Sequence, residues 1–261
     1  MQFGTQIVKL TGKVSTEVDV TLSFDVQRTV AAARRIIKLY EKEGVKKEEV
    51  RIKISATWEG IQAASILQEE HGISCLITVV FSLIQAIAAA EAGVDAVAPY
   101  VGRMADWGKA NGYQGDLGVD RVTEMQNYLR KFGFKTQVMA ASFRSVEQVR
   151  RLAGIDLLTA SPAILGAVEA ETTPIVPMLT ADSGKSSSIP PSNTKCTVWL
   201  MNTHPVTARE ANLTEVSYIN NESAFRWAFN EDVCAVEKSA DAMRRFADDT
   251  QKLKDLLATM L

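Results

Sequence analysis

Between Val14 and Pro162 the sequence repeats one unit, a short apolar run rich in β-branched residues followed by an amphipathic stretch of helical periodicity. Apolar strands that alternate with helices predict a parallel sheet whose outer face is covered by those helices. Six such units without a Gly-rich dinucleotide turn favour a (β/α) barrel over a doubly wound sheet. We predict strands at Val14–Val20, Val50–Ser55, Cys75–Phe81, Ala96–Tyr100, Thr136–Ser142 and Leu157–Ser161.

The predicted helices between the strands are Arg28–Gly44, Trp58–Gly72, Ser82–Gly93, Arg121–Gly133 and Val146–Gly154, each ending in the glycine that closes a helix. A barrel normally has eight strands, so we expect the first two to precede the point where Met1 lies. We expect one (β/α)-barrel domain over residues 1–261, with a loop insertion at 181–212 and C-terminal helices over 223–261. The last helix carries an apolar stripe that we expect to pack into the core: Met243, Phe246, Leu253, Leu256 and Leu257.

Charge and cysteine content restrict the class of protein. The 261 residues include 29 basic and 31 acidic side chains, a balance that argues against nucleic acid or an anionic membrane as the main partner. No apolar run approaches the roughly 20 residues that span a bilayer, and the start does not resemble a signal peptide. Three cysteines at unrelated spacings indicate a reducing compartment, so we expect a cytoplasmic protein. Two histidines leave little material for a metal site or a catalytic triad.

Lys53 is the most informative single residue. Side chains alternate along a strand, so Lys53 and Ser55 share one face while Ile52 and Ile54 share the other. If the isoleucines pack under the helices, Lys53 points into the barrel. An amine withdrawn from water loses its proton more readily and can attack a sugar carbonyl to form an imine. The alternative is a lysine at a strand end that extends to solvent.

Glu17 has the same unusual placement in the first predicted strand. It shares one face with Ser15 and Asp19, opposite Val14, Val18 and their neighbours. A carboxylate inside a barrel needs a partner, and a buried lysine or an ordered water would serve. Alternatively, these polar residues form the solvent face of an edge strand.

Arg103, Ser142 and Arg144 lie at or just after the ends of predicted strands. Barrel enzymes collect their ligand-binding groups at those carboxyl ends. Two arginines and a serine that converge there would suit a phosphate monoester, because arginine presents a planar fork of donors. Taken singly, each arginine is more often a surface charge.

Together these residues resemble the transaldolase family, class I aldolases built on a (β/α)₈ barrel. The similarity extends from Gln2 to about Pro162 and resumes from Tyr218 to the end. It rests on several stretches in order: Lys13-Val-Ser-Thr-Glu-Val-Asp, Ile52-Lys-Ile-Ser-Ala-Thr-Trp-Glu-Gly-Ile-Gln-Ala-Ala, Ala90-Glu-Ala-Gly-Val, Pro99-Tyr-Val-Gly-Arg and Met139-Ala-Ala-Ser-Phe-Arg-Ser.

The resemblance implies a role for each candidate residue. Lys53 corresponds to the Schiff-base lysine, Glu17 and Thr78 to the residues that hold a catalytic water, and the set Arg103, Ser142 and Arg144 to the phosphate clamp. Tyr100 stands where transaldolases have Phe and the related fructose-6-phosphate aldolases have Tyr, so its phenol could assist proton transfer. The resemblance implies a sugar phosphate substrate and neither a metal nor an organic cofactor.

The sequence also departs from the family pattern. Leu76 stands where the family usually has Asn, and Ala98 where it usually has Ser. The family's first two strands, one carrying an acid–base aspartate and another a substrate-binding asparagine, have no counterpart here. An open sheet has edges that attract other chains, so we expect a homo-oligomer. Three functions follow as hypotheses: transfer of a dihydroxyacetone unit between sugar phosphates, an aldol reaction on a different carbonyl substrate through the same lysine, and a non-catalytic binding or assembly role.

Overall fold

A computed structural model of the protein describes residues 2–179 and 213–260. Its sheet has six strands, all parallel and paired in the order of the sequence. The strands are β1 (Val14–Glu17), β2 (Val50–Ser55), β3 (Cys75–Val80), β4 (Ala96–Pro99), β5 (Gln137–Ala141) and β6 (Leu157–Thr159). The sheet of the described residues is therefore a parallel β/α half-barrel, in which β1 and β6 form the two edges.

The described helices connect the strands or follow them. They are α1 (Gln2–Thr11), α2 (Val26–Lys42), α3 (Trp58–His71), α4 (Leu83–Glu91), α5 (Val101–Ala110), α6 (Leu117–Lys131), α7 (Val146–Arg151), α8 (Pro162–Glu169), α9 (Glu222–Glu231) and α10 (Val233–Ala258). Short 3-10 helices lie at Val20–Leu22 and Lys47–Glu49. None of the helices in residues 2–179 and 213–260 is long and apolar enough to cross a membrane.

The alternation along β2 divides its side chains between two environments. Ile52 and Ile54 are buried in the core under the helices, whereas Lys53 on the opposite face is partly exposed. On β1, the Thr16 hydroxyl faces outward and lies 2.7 Å from the Tyr40 hydroxyl of α2, which leaves Glu17 on the inner face. The two-residue period therefore predicted correctly that Lys53 and Glu17 share the inner face.

Several element boundaries differ from the prediction. β1 ends at Glu17 rather than Val20, because the Asp19 side chain accepts a hydrogen bond from the Thr21 amide and begins the 3-10 helix. The last helix begins at Val233, with Asp232 as its N-cap, whereas the sequence alone predicted only that helices lie within 223–261. Helices α1, α5 and α8 were not predicted, and the predicted insertion at 181–212 lies outside the described residues.

Helix α10 runs over the carboxyl ends of the strands. It contacts α5, β3 and the 3-10 helix that follows β1. Near its start, the Trp107 indole donates to Glu237 at 2.6 Å, and near its end the Lys254 ammonium donates to Asp19 at 2.8 Å. Burial alone would raise the pKa of Asp19, but hydrogen bonds from Lys254 and Thr21 lower it below its usual value. This second contact is therefore ionic at neutral pH.

The apolar stripe of α10 is only partly in the core. Met243 and Phe246 pack against the core, as expected. Leu253, Leu256 and Leu257 are instead 56%, 54% and 50% exposed, which corrects the expectation that the whole stripe is buried. These leucines are exposed because the described part of the chain covers little of the end of α10, where residues 251–260 are all exposed. This end still contacts Asp19 through the long Lys254 side chain.

Candidate active site

Glu17 and Lys53 face each other across the first two strands. They are paired residues in the register of β1 and β2, and the Glu17 Oε2 atom lies 3.4 Å from the Lys53 Nζ atom. Their side chains are 29% and 25% exposed, so the ion pair borders an opening rather than a sealed interior. The other carboxylate oxygen, Glu17 Oε1, is buried and has no hydrogen-bond partner among the described residues. A buried carboxylate oxygen without a donor is a place for a water or a substrate hydroxyl.

An apolar wall adjoins the lysine. Leu76 on β3 is the register neighbour of Lys53 and packs with Ala96 and Ala98 of β4 in a small cluster of their own. All three are at most 3% exposed, and Met139 of β5 packs against them. Next to Lys53, the inner faces of β3, β4 and β5 are therefore lined by these apolar side chains.

Thr78 and Tyr100 form a hydroxyl pair above this wall. The Thr78 Oγ1 atom lies 2.9 Å from the Tyr100 hydroxyl, and the two residues are 0% and 7% exposed. Thr78 is the register neighbour of Ser55, two residues beyond Lys53 on β2. Within the described residues Glu17 and Thr78 are not bonded to each other, so a water held by both remains a prediction. The structure instead shows Thr78 orienting the phenol of Tyr100.

The backbone after Thr78 is strained and is held by one glutamine. Val79 has a φ of 61°, which a β-branched residue rarely adopts, and the register of β3 against β4 shifts there. The buried Gln85 amide donates to the carbonyls of Ala56 and Val79 and accepts from the Phe81 amide. Gln85 therefore fixes the ends of β2 and β3, and with them the direction of Thr78.

Arg103 lies in the first turn of α5, directly after β4. Its guanidinium carbon is 5.4 Å from the centre of the Tyr100 ring and 5.5 Å from the centre of the Phe246 ring of α10. Its Nη1 atom is buried without a hydrogen-bond partner among the described residues. The guanidinium is thus held by two rings, and no carboxylate of the described part of the chain pairs with it.

Ser142 and Arg144 follow β5 and lie against the start of α5. The Gly102 amide donates to the Ser142 carbonyl at 3.0 Å, and a Cβ atom on Gly102 would lie 2.2 Å from that oxygen. Glycine is therefore required for this approach. Ser142 itself has a φ of 63°. Arg144 is about half exposed and forms an ion pair with Asp106 of α5, with its Nε and Nη2 atoms 3.1 and 3.0 Å from one carboxylate oxygen.

The structure connects five of the seven predicted residues through three contacts, while Ser142 and Arg144 lie against the start of α5. Glu17 pairs with Lys53, Thr78 pairs with Tyr100, and the Tyr100 ring contacts Arg103. Sequence reasoning missed Asp106, Phe246 and Gln85. Asp106 had a signal, since it lies three residues after Arg103 on what proves to be a helix, whereas the position of Phe246 beside Arg103 depends on where α10 crosses the sheet.

The described residues support neither a cysteine nucleophile nor a metal centre. Burial raises the pKa of the Cys75 thiol to about 12 and that of the Cys234 thiol to about 11, so neither is a thiolate nucleophile at neutral pH. No three His, Cys, Asp or Glu side chains between residues 2 and 179 or 213 and 260 lie close enough to hold a metal ion.

A family model and the curated relatives of this chain indicate the same family. A family model described as Transaldolase/Fructose-6-phosphate aldolase matches residues 1–257. The chain is 44% identical to the transaldolase of Saccharomyces cerevisiae over 263 residues, which cover 98% of this chain and 71% of the yeast protein. It is 45% identical to the transaldolase of Sus scrofa and 43% identical to that of Homo sapiens, in both cases over 98% of this chain and 70% of the relative.

Among solved structures, a mandelate oxidase shares 13% sequence identity and a TM-score of 0.39, over 59% of this chain and 51% of that one. A likeness this low adds nothing to the argument. The family match over nearly the whole chain and the identity to curated transaldolases do not depend on it. The chain belongs to the transaldolase/fructose-6-phosphate aldolase family.

Proposed function

We propose that this protein is a transaldolase, an enzyme that transfers a dihydroxyacetone unit from a ketose phosphate to an aldose phosphate through an imine on Lys53. The observation that carries the proposal is the Glu17–Lys53 pair, in which an amine that borders an opening lies 3.4 Å from a carboxylate oxygen. The second oxygen of that carboxylate has no hydrogen-bond donor among the described residues. The family and the identity to curated transaldolases support the same reaction.

The chemistry assigns a task to each group. Lys53 passes its proton to Glu17 and, as the neutral amine, forms a bond to the ketose carbonyl carbon. Glu17 returns the proton as the former carbonyl oxygen leaves as water, which gives the protonated imine. Cleavage of the adjacent C3–C4 bond sends its electron pair into the protonated imine, and the proton of the C4 hydroxyl passes to a base. A water on the free Glu17 oxygen can accept that proton. The aldose phosphate product leaves, and the three-carbon unit on Lys53 attacks the aldehyde carbon of the acceptor, whose oxygen takes back the proton. One water then hydrolyses the new imine, which releases the ketose phosphate and restores Lys53.

The remaining predicted residues bind and orient the substrate in this proposal. The Thr78–Tyr100 pair presents a hydroxyl beside the reacting carbons. Arg103 and Arg144 bind the phosphate, with Ser142 as a further donor. Arg144 must exchange its ion pair with Asp106 for the phosphate or share itself between the two anions.

Borohydride trapping tests the proposal directly. The protein is incubated with fructose 6-phosphate and sodium borohydride and analysed by intact mass and peptide mapping, and a Lys53→Met variant serves as the control. We expect a stable adduct on the peptide that contains Lys53, and sugar transfer to erythrose 4-phosphate in a coupled assay. A folded protein without an adduct, stabilised by phosphate alone, would favour the non-catalytic binding role instead.

One observation favours a second candidate, an aldolase that uses the same lysine on a different carbonyl substrate. Leu76 and Ala98 make the wall beside Lys53 apolar, and Tyr100 supplies a phenol where transaldolases have Phe. The triple variant Leu76→Asn, Ala98→Ser, Tyr100→Phe should then shift the products from simple cleavage towards transfer. An unchanged product ratio would remove the support for this candidate.

We further propose that the protein self-associates and works in the cytoplasm. The strands β1 and β6 are open edges of the described sheet, and Phe3 and Leu10 of α1 are 81% and 86% exposed. The described cysteines, Cys75 and Cys234, are buried free thiols, which suits a reducing compartment.

A further inference from the structure

We propose that Phe246 of α10 is a positioning residue for substrate phosphate, acting with Tyr100 to hold the Arg103 guanidinium between two aromatic rings. The inference rests on the proposed function, because it assumes that Arg103 binds the phosphate of the substrate. It adds a residue that comes from the C-terminal helix and not from the strand ends.

The first argument is the geometry around Arg103. Its guanidinium carbon lies 5.4 Å from one ring centre and 5.5 Å from the other, both within the range of a cation–π contact. A cation–π contact restrains the guanidinium through the faces of the rings and supplies no hydrogen-bond acceptor, so the N–H groups stay available for an anion. A side chain held in this way is oriented before the anion arrives.

The second argument is the contrast with Arg144. Arg144 is about half exposed and already bonded to the carboxylate of Asp106. Arg103 has no such partner in the described part of the chain, and its buried Nη1 atom makes no hydrogen bond there. A buried guanidinium nitrogen without an acceptor is unfavourable unless a ligand completes it. Two aromatic faces keep the charge in place without competing for its donors.

The third argument is that α10 is fixed on both sides of Phe246. The Glu237–Trp107 hydrogen bond precedes it, and the Lys254–Asp19 ion pair follows it. Phe246 also packs against the core. These contacts therefore fix the position of the Phe246 ring beside Arg103.

The test compares Phe246→Leu, which keeps an apolar side chain but removes the aromatic face, with Phe246→Tyr, which keeps the face. The matched control is Met243→Leu, a similar change one turn earlier on α10. Binding of inorganic phosphate is measured by calorimetry, and KM and kcat are measured with fructose 6-phosphate. We expect Phe246→Leu to weaken phosphate binding and to raise KM by about threefold to tenfold, with kcat nearly unchanged. Phe246→Tyr and Met243→Leu should behave like the wild type.

A second variant separates the aromatic face from packing. Incorporation of trifluorophenylalanine at position 246 keeps the shape of the ring but withdraws electron density from its face, so it should weaken phosphate binding in the same direction even if Phe246→Leu fails to fold. Wild-type binding in either altered protein, or equal losses in Phe246→Leu and Phe246→Tyr, would overturn the inference. If phosphate binding depends on the ring while borohydride traps no imine, the proposed reaction fails and the role of Phe246 stands.

Discussion

The two carboxylate oxygens of Glu17 have different surroundings. One lies beside the Lys53 ammonium, and the other is buried without a hydrogen-bond donor among the described residues. The first keeps the amine in position, and the second is free for a water or a hydroxyl of the substrate. A single residue can thus orient the nucleophile and serve the proton transfer, which makes it the most sensitive position after the lysine itself.

Replacing Glu17 by Gln should lower kcat by about a hundredfold or more, because an amide preserves the shape of the side chain but cannot accept a proton. KM for the phosphorylated substrate should change little, since Arg103 and Arg144 are untouched. Steady-state kinetics check this, with Ser15→Ala, at an exposed residue on the same face of β1 as Glu17, as the control. A Glu17→Gln enzyme with wild-type kcat would show that another group transfers the proton.

For individual residues, the sequence predicted which side chains of the strands point to the inner face of the sheet. Alternation along β1 and β2 was sufficient to place Glu17 and Lys53 on the inner face. It could not predict their 3.4 Å contact, which requires the register of the two strands. The contact of Phe246 with Arg103 could not be predicted because it depends on where α10 crosses the sheet, and the bond of Asp106 to Arg144 because it depends on how α5 packs beside the end of β5.

Helix α5 holds one arginine of the proposed phosphate site, Arg103, and contacts the other, Arg144. It carries Arg103 in its first turn and Asp106 in its second, and it packs closely on α6. Its glycines obscured the helical pattern in the sequence, because glycine disfavours a helix interior. The structure explains the glycines by close approach, at Gly102 to the Ser142 carbonyl and at Gly108 to Leu117.

The α5–α6 contact yields a prediction about stability. A Cβ atom at Gly118, near the start of α6, would lie 1.9 Å from the Val101 carbonyl oxygen. Gly118→Ala must therefore push α6 away from α5, and we expect it to lower the free energy of unfolding by about 3 kcal/mol. Urea unfolding measures the change.

Gly166 of α8 provides the matched control, because a Cβ atom there would meet nothing within 4 Å. Gly166→Ala should be neutral or stabilise the protein by up to about 1 kcal/mol, as expected for alanine in a helix. Equal losses from the two substitutions would contradict the packing argument.

On the scale of the molecule, the six parallel strands are paired in chain order and do not close on themselves within the described residues. The class of fold was predictable because each βα unit carries its own signal, an apolar strand followed by an amphipathic helix. The open ends of the sheet were also predicted, because six βα units are two short of the eight that close a barrel. That residues 1–261 form a single domain remains a prediction.

The open edges lead to an expectation for the protein in solution. Light scattering coupled to size-exclusion chromatography should give a mass above the 28.5 kDa of one chain at micromolar concentration. A variant with Phe3→Ser and Leu10→Ser should shift the mass towards the monomer, because both side chains are among the most exposed apolar groups. A folded wild-type monomer at that concentration would contradict self-association.

The crossing of α10 over the strand ends has a consequence for the order of synthesis. Its hydrogen bond to Trp107 joins positions 130 residues apart, and its ion pair with Asp19 joins positions 235 apart. On the ribosome the strands with Glu17 and Lys53 emerge first, and the segment that carries Phe246 emerges after every other described element. A nascent chain therefore exposes its amine and carboxylate before Phe246 can contact Arg103, and the proposed phosphate site is incomplete until α10 has been synthesised.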